Sequence, residues 1–306
     1  MKKHFLIFMM YVLSAGASAI TSNHAVTYET PGGRLGDQLI AYMHAKWISY
    51  LYRIPLIYKP FCYSHDLVLD EKEQWSEASH AQNYKHALKI ENLQTIEENT
   101  LSDVLFITQF FPESNYERKQ AKWPIFPINW KDPEFIALLR TLIYPKHPTL
   151  YQTLPIDRVS VAAHVRRGGG FDDPAQYNHW PLKFPPDNFY IAQIRKIYEV
   201  LKQPLFVYIF TDDPLPSSIA EHYAGALEDI DVIFGYRAEG NSHKTNVLDD
   251  LFDMIRYQCL IRPESNYSIV AEKLADYSIV IHPTQCVIQN KQIIITETET
   301  NTIYEK

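Results

Sequence analysis

Arg166 stands in the stretch with the clearest chemical potential, His164-Val165-Arg166-Arg167-Gly168-Gly169-Gly170, directly after a short apolar, β-rich run. An arginine there offers a planar fork that matches phosphate geometry, and glycines let backbone N–H groups approach the same anion. His164 precedes Arg166 by two residues, so on a strand both side chains face one side. Three further clusters have compatible chemistry. Thr211-Asp212-Asp213 ends a second apolar run, with carboxylates suited to guanine or ribose hydroxyls, or to starting the turn before Pro214. Ser265, Asn266 and Ser268 lead a helical pattern, where they serve either as phosphate donors or as plain N-caps. Gly32-Gly33-Arg34-Leu35-Gly36-Asp37 is a Gly-rich turn opening another helix, an arrangement that favours anions but is as often a simple connection. Asp229-Ile230-Asp231 has the spacing of a metal-binding acidic pair, yet it begins an apolar strand and such pairs are common by chance. No metal is assigned, and no nucleophilic-serine motif, zinc pattern or Walker loop is present.

The elements that must position these clusters are legible in outline. Leu39, Ile40, Met43, Trp47 and Leu51 recur at helical spacing, and Leu56 to Tyr58 and Val104 to Thr108 read as strands. Residues 70 to 100 are polar and read as helical or irregular. Prolines 124, 127, 133, 145, 148 and 155 punctuate the middle, which places a domain boundary near Pro145 to Pro155. Beyond it, strands near 159–165, 205–210, 231–234 and 278–281 alternate with helices near 186–201, 216–223, 246–258 and 267–274. That alternation implies an α/β domain with a parallel sheet, and the polar clusters then fall at one edge of it. The acidic, threonine-rich tail from Thr296 is expected to fray.

With 306 residues, 46% of them hydrophobic, the chain can build two domains and is not disordered. A net charge of −7 argues against a general nucleic-acid partner, so Arg166 and Arg167 form a local positive site in an acidic protein. Cys62, Cys259 and Cys286 allow at most one disulfide and show no metal pattern. Lys2-Lys3, the apolar run from Phe5 to Leu13 and Ala17-Ser18-Ala19 make residues 1–19 an expected signal peptide or short anchor. The chain is accordingly expected to be exported or membrane-associated, or cytoplasmic if the segment is not used.

In order and spacing the four clusters resemble the α-1,2-fucosyltransferases and, more distantly, the α-1,6- and protein O-fucosyltransferases. The resemblance rests on Gly33-Arg34-Leu35-Gly36-Asp37-Gln38, on His164 to Gly168, on Phe210-Thr211-Asp212-Asp213, and on Asp250-Leu251 with Cys259 and Glu264 to Ser268. It covers roughly residues 30 to 282. Three departures stand out. Gly169 replaces the acid usual after Arg-Arg-Gly, with Asp172 and Asp173 arriving later. Asp37 stands where an asparagine is usual, and Glu264-Ser265-Asn266 only loosely matches Asn-Ser-Ser.

The resemblance implies a GT-B-like α/β fold of two facing Rossmann-like domains with mainly parallel sheets. Residues 22–150 would form the acceptor side and residues 156–306 the GDP-fucose side. The implied reaction is inverting transfer of fucose from GDP-fucose to a glycan, most simply α-1,2 to galactose, with no metal or other cofactor. The implied donor-site residues are Gly33, Arg34, His164, Arg166, Arg167, Asp212, Asp213, Ser265, Asn266 and Ser268. Arg166 would stabilise the leaving diphosphate, and Asp37 is a candidate acceptor base unless it simply caps its helix, with Asp172 or Asp173 next in line. The alternatives are another glycan or a protein as acceptor, or a non-catalytic nucleotide-sugar or glycan-binding protein, which the missing acid after Gly168 would suit.

Overall fold

A computed structural model describes residues 23–75, 83–109, 113, 127–147, 151–169, 172, 177, 179–242 and 244–302. The expected signal segment 1–19 and Asp173 lie outside the described residues. In chain order, β1 (His24–Tyr28), α1 (Leu35–Tyr52), β2 (Ile57–Tyr58), β3 (Gln74–Trp75), β4 (His86–Ile90), β5 (Val104–Thr108) and α2 (Pro133–Leu142) build the first half. Its sheet runs β1-β5-β4, all parallel, and Leu56 adds a bridge to Val26 of β1. The second half follows as β6 (Val159–Val165), α3 (Asp187–Leu201), β7 (Leu205–Thr211), α4 (Pro216–Ala226), β8 (Val232–Tyr236) and α5 (Val247–Met254). It closes with β9 (Cys259–Ile261), α6 (Asn266–Leu274), β10 (Ile279–Gln289) and β11 (Gln292–Thr302).

The second sheet has the order β11-β10-β9-β6-β7-β8, parallel except for the antiparallel β10–β11 pair. The chain winds outward from β6 through β7 to β8, then returns to the other side of β6 with β9 and β10. Connections therefore leave β6 and β9 in opposite directions, which opens a crevice at their carboxyl ends. Both faces of this sheet are covered, so β6 and β7 are buried along their whole length. The period of two is visible in what each face meets. Val161, Ala163 and Val165 pack with Ile194 of α3 and Tyr223 of α4, while Ala162, Phe206 and Phe210 join a core that includes Leu39, Ile40 and Met43 of α1.

Two expectations are corrected. The region from residue 70 to 100 contains two strands: the short β3, which pairs with β2, and β4, where His86-Ala-Leu-Lys-Ile90 pairs along β5 with mostly exposed side chains. The tail from Thr296 does not fray within the described residues but forms β11 with Gln292 to Ile295. Its β-branched residues extend a hairpin whose two turn residues, Asn290 and Lys291, both take left-handed φ values of 50° and 64°. Positive φ at both central positions is what a two-residue hairpin turn requires.

Candidate active site

The crevice at the carboxyl ends of β6 and β9 is a cavity of about 760 Å³. Arg166 enters it one residue beyond β6, and Ser265 and Asn266 enter as the N-cap and first residue of α6. Facing them across the cavity is the first turn of α1, with Gly33 to Gln38 on the wall. The two helices come together closely at this point. A Cβ built on Gly36 would sit 2.4 Å from the Tyr267 backbone N and 2.6 Å from the Asn266 carbonyl carbon, so only glycine permits the approach. Two helix N-termini thus converge, each with orphan N–H groups and the positive end of its dipole.

Asp37 joins these two termini. Its Oδ2 accepts the backbone N–H of Arg34 at 3.0 Å, capping α1, and its Oδ1 accepts Nδ2–H of Asn266 at 2.6 Å. Two of the positions that depart from the resembled pattern, Asp37 and Asn266, are therefore in direct contact. Asn266 is buried and committed to this bond, which removes the glycosylation sequon Asn266-Tyr267-Ser268 from access.

Around Arg166 the charges are tightly arranged. Its Nη2 donates to Asp172 Oδ1 at 2.8 Å and Oδ2 at 2.7 Å, its Nε to Oδ2 at 3.2 Å, and its Nη1 to Ser265 Oγ at 3.4 Å. The guanidinium carbon lies 5.1 Å from the centre of the Phe184 ring. Arg34 Nη2 reaches Asp172 at 3.4 Å, and its Nη1 lies 4.0 Å from Asp212. Gly168 and Gly169 adopt φ of 90° and 51°, conformations that glycine takes without strain. The turn they make brings the Asp172 N–H to the Gly168 carbonyl at 3.1 Å. The acid absent directly after Gly168 in sequence is thus returned to the site by Asp172, further along the same loop.

His164 lines the cavity beside Arg166 and is buried. Burial first, and then the positive charges of Arg166, Arg34 and Arg262, push its pKa down to about 3. It is a neutral imidazole at physiological pH, with an Nδ1 that has no hydrogen-bond partner among the described residues.

The remaining expected residues divide. Arg167 follows Arg166 and points the other way, its Nη2 pairing with Asp187 at the start of α3, where Tyr223 also donates at 2.8 Å. Asp212 lines the cavity and accepts the Arg167 backbone N–H at 2.6 Å, fixing the turn after β6. Asp213 is not part of the cavity wall. Its Oδ1 accepts the Leu215 N–H at 2.8 Å, the turn role that was the alternative. Ser268 is buried within α6 and donates to the Ser265 carbonyl at 3.2 Å. Asp229 and Asp231 pair separately with Arg195 and Arg158 at the other end of the sheet.

Asp250 belongs to one of the resembled motifs but was not expected in the site, yet it lines the cavity. Arg237 donates to it at 2.6 Å, and burial raises its pKa to about 6 despite that partner. Its spacing on α5 is that of an ordinary helix-face acid, so only the packing of α5 against α6 reveals it. Trp180 and Phe184 add an apolar wall, with the Lys183 ammonium 4.7 Å from the centre of the Trp180 ring, and Tyr63 bridges the halves by donating to the Lys244 carbonyl at 3.1 Å.

No family model and no curated protein sequence matches the chain. Solved structures do. Arabidopsis thaliana FUT1, an arginine-to-lysine mutant in complex with GDP, superimposes with a TM-score of 0.54 at 12% identity, over 85% of this chain and 70% of that one. POFUT1 in complex with GDP-fucose aligns at 11% identity and a TM-score of 0.45, covering 85% of this chain and 96% of its own. The fucosyltransferase NodZ from Bradyrhizobium aligns at 12% identity and a TM-score of 0.40, covering 92% and 99%. The fold is α/β, GT-B-like, with mainly parallel sheets, as expected from the sequence.

Proposed function

We propose that the chain is an inverting, metal-independent fucosyltransferase that takes fucose from GDP-fucose to a glycan, with an α-1,2 linkage to galactose as the first acceptor to test. The observation that carries this reading is the convergence of the Arg166 fork with the N-termini of α1 and α6 at the strand-order reversal. That seat suits a diphosphate, and the FUT1 structure of the same fold holds GDP.

The chemistry follows from the geometry. As the bond from the sugar carbon to the diphosphate oxygen breaks, the sugar gains oxocarbenium character and negative charge grows on the β-phosphate. Arg166 and the helix N–H groups are fixed before the reaction, so they stabilise that growing charge more than the ground state. The same donors can neutralise the leaving group in place of a metal. The attacking acceptor hydroxyl must pass its proton to a carboxylate on the opposite face; Asp37, expected for that role from the sequence, has both oxygens engaged by the Arg34 N–H and Asn266 beside the diphosphate seat, and its asparagine variant decides whether it serves. Nucleotide specificity would come from groups such as Asp250, whose carboxylate can accept N–H donors of a base, and from neutral His164.

Purified protein incubated with GDP-fucose and galactosides in excess chelator is expected to release GDP and form fucosylated product. Arg166→Lys should lower turnover by about a hundredfold or more, because a point charge cannot reproduce a bidentate fork. A strict need for manganese or magnesium, or near-wild-type turnover in the lysine variant, would overturn the mechanism. GDP binding without transfer to any acceptor would favour the non-catalytic alternative.

A further inference from the structure

The seat offered to the diphosphate is already filled by a side chain. Asp172 spans the Arg166 guanidinium with both carboxylate oxygens, at 2.7 and 2.8 Å from Nη2, and also receives Arg34 at 3.4 Å. Its side chain is only 4% exposed. A carboxylate edge is the closest protein equivalent of two phosphate oxygens on one arginine fork. The local charges are also balanced. Arg34, Arg166, Lys183 and Lys244 line the cavity with Asp37, Asp172, Asp212 and Asp250, four positive groups with four negative ones. A diphosphate entering this cluster would leave it strongly negative unless one carboxylate withdrew. Asp212 is tied to the Arg167 backbone N–H at 2.6 Å, whereas the Asp172 carboxylate is held by the two arginines that the phosphate needs.

We propose that Asp172 is an internal stand-in for the leaving diphosphate and sets the donor affinity of this chain. In the unliganded protein it keeps Arg166 and Arg34 paired and oriented within a buried site, where an unpaired charge would be costly. The β-phosphate must displace it to reach the Arg166 fork, so every donor molecule binds against an intramolecular competitor. This inference rests on the reading of the site as a nucleoside-diphosphate-sugar site.

The competition is specific to the phosphate that reaches Arg166, which makes it measurable. Asp172→Asn keeps the shape of the side chain but removes the charge that competes, and Asp172→Ala removes the competitor altogether. Calorimetric titration of wild type and both variants with GDP and with GMP, alongside their melting temperatures, tests the idea. Both variants are expected to bind GDP about ten- to a hundredfold more tightly than wild type, the range expected for exchanging a charged hydrogen-bonded pair. GMP, which lacks the β-phosphate, should change little. Unchanged or weaker GDP binding in variants that remain folded would overturn the proposal and make Asp172 a support for Arg166 instead. Equal tightening of GDP and GMP would also overturn it, since a general charge effect would then suffice. If folded wild type and both folded variants bind no GDP, the nucleotide-sugar reading itself fails, and this inference falls with it.

Discussion

Asp37 carries a full charge at the point where two helix N-termini touch, and both of its oxygens are engaged there. Asp37→Asn isolates that charge, because the structure leaves a way to keep both bonds. The amide oxygen of the introduced side chain can still accept the Arg34 N–H. Its amide nitrogen can donate to Asn266 Oδ1, an atom with no hydrogen-bond partner among the described residues. Cap and cross-link therefore survive while the proton acceptor is lost. With both oxygens committed, we expect turnover within a few-fold of wild type and an unchanged melting temperature. Asp37→Ala, which removes the cap as well, should cost about 1 kcal/mol of stability. A fall in Asp37→Asn turnover of about a hundredfold or more, with GDP binding intact, would instead assign the acceptor base to Asp37. At this scale the sequence was a partial guide. Arg34, His164, Arg166, Asp212, Ser265 and Asn266 all line the cavity, because strand ends and helix starts announce themselves through glycine, proline and short polar residues. Arg167 was misassigned although strict alternation after a strand already turns it away from Arg166. The place of Asp250 in the site was not legible, because it depends on which face of α5 meets α6.

The approach of α1 to α6 is the element-level feature that makes the site. It depends on Gly36, where a Cβ would press on backbone atoms that cannot rotate away. Gly36→Ala should force the two helices apart, costing roughly 1–3 kcal/mol as overpacking does and weakening GDP binding through misplaced N–H groups. Gly32→Ala is the matched control, since its added Cβ meets nothing within 4 Å. Thermal melts and GDP titrations of the two variants check this, and indistinguishable behaviour would mean the close approach has no part in the site. The Gly-rich turn and the helix after it were legible from composition and an apolar helical period, but their partner was not. The Asp37–Asn266 bond at this contact links positions 229 residues apart, and no local pattern encodes it. The two longer strands missed, β4 and β11, escaped for local reasons. β4 lies along the edge of its sheet with exposed side chains, so it lacks an apolar run, and β11 alternates threonine with glutamate in a way that resembles a solvated tail.

Across the whole molecule, the two halves have separate sheets but not separate cores. One apolar cluster joins Val26, Leu39, Ile40 and Met43 from the first half to Ala162, Phe206, Phe210, Leu260 and Ile269 from the second. The Arg140–Asp276 pair, with both hydrogen bonds at 2.8 Å, and the Tyr63–Lys244 contact add polar links across the same boundary. The proline-rich middle, read from the sequence as a domain boundary, lies between the two sheets, and the shared apolar cluster spans it. Domains 22–150 and 156–306 are thus proposed as structural halves of one cooperative unit. A free second half would expose the apolar face of α6 on which α1 packs. We expect a single calorimetric transition for the intact protein, with calorimetric and van't Hoff enthalpies in agreement, and a shift of that whole transition when GDP is added. A fragment of residues 156–306 should be aggregated or unfolded under the same conditions. Two resolved transitions, with GDP moving only one, or a soluble fragment with a cooperative melt of its own, would show that the halves are independent and that the donor site needs only the second sheet.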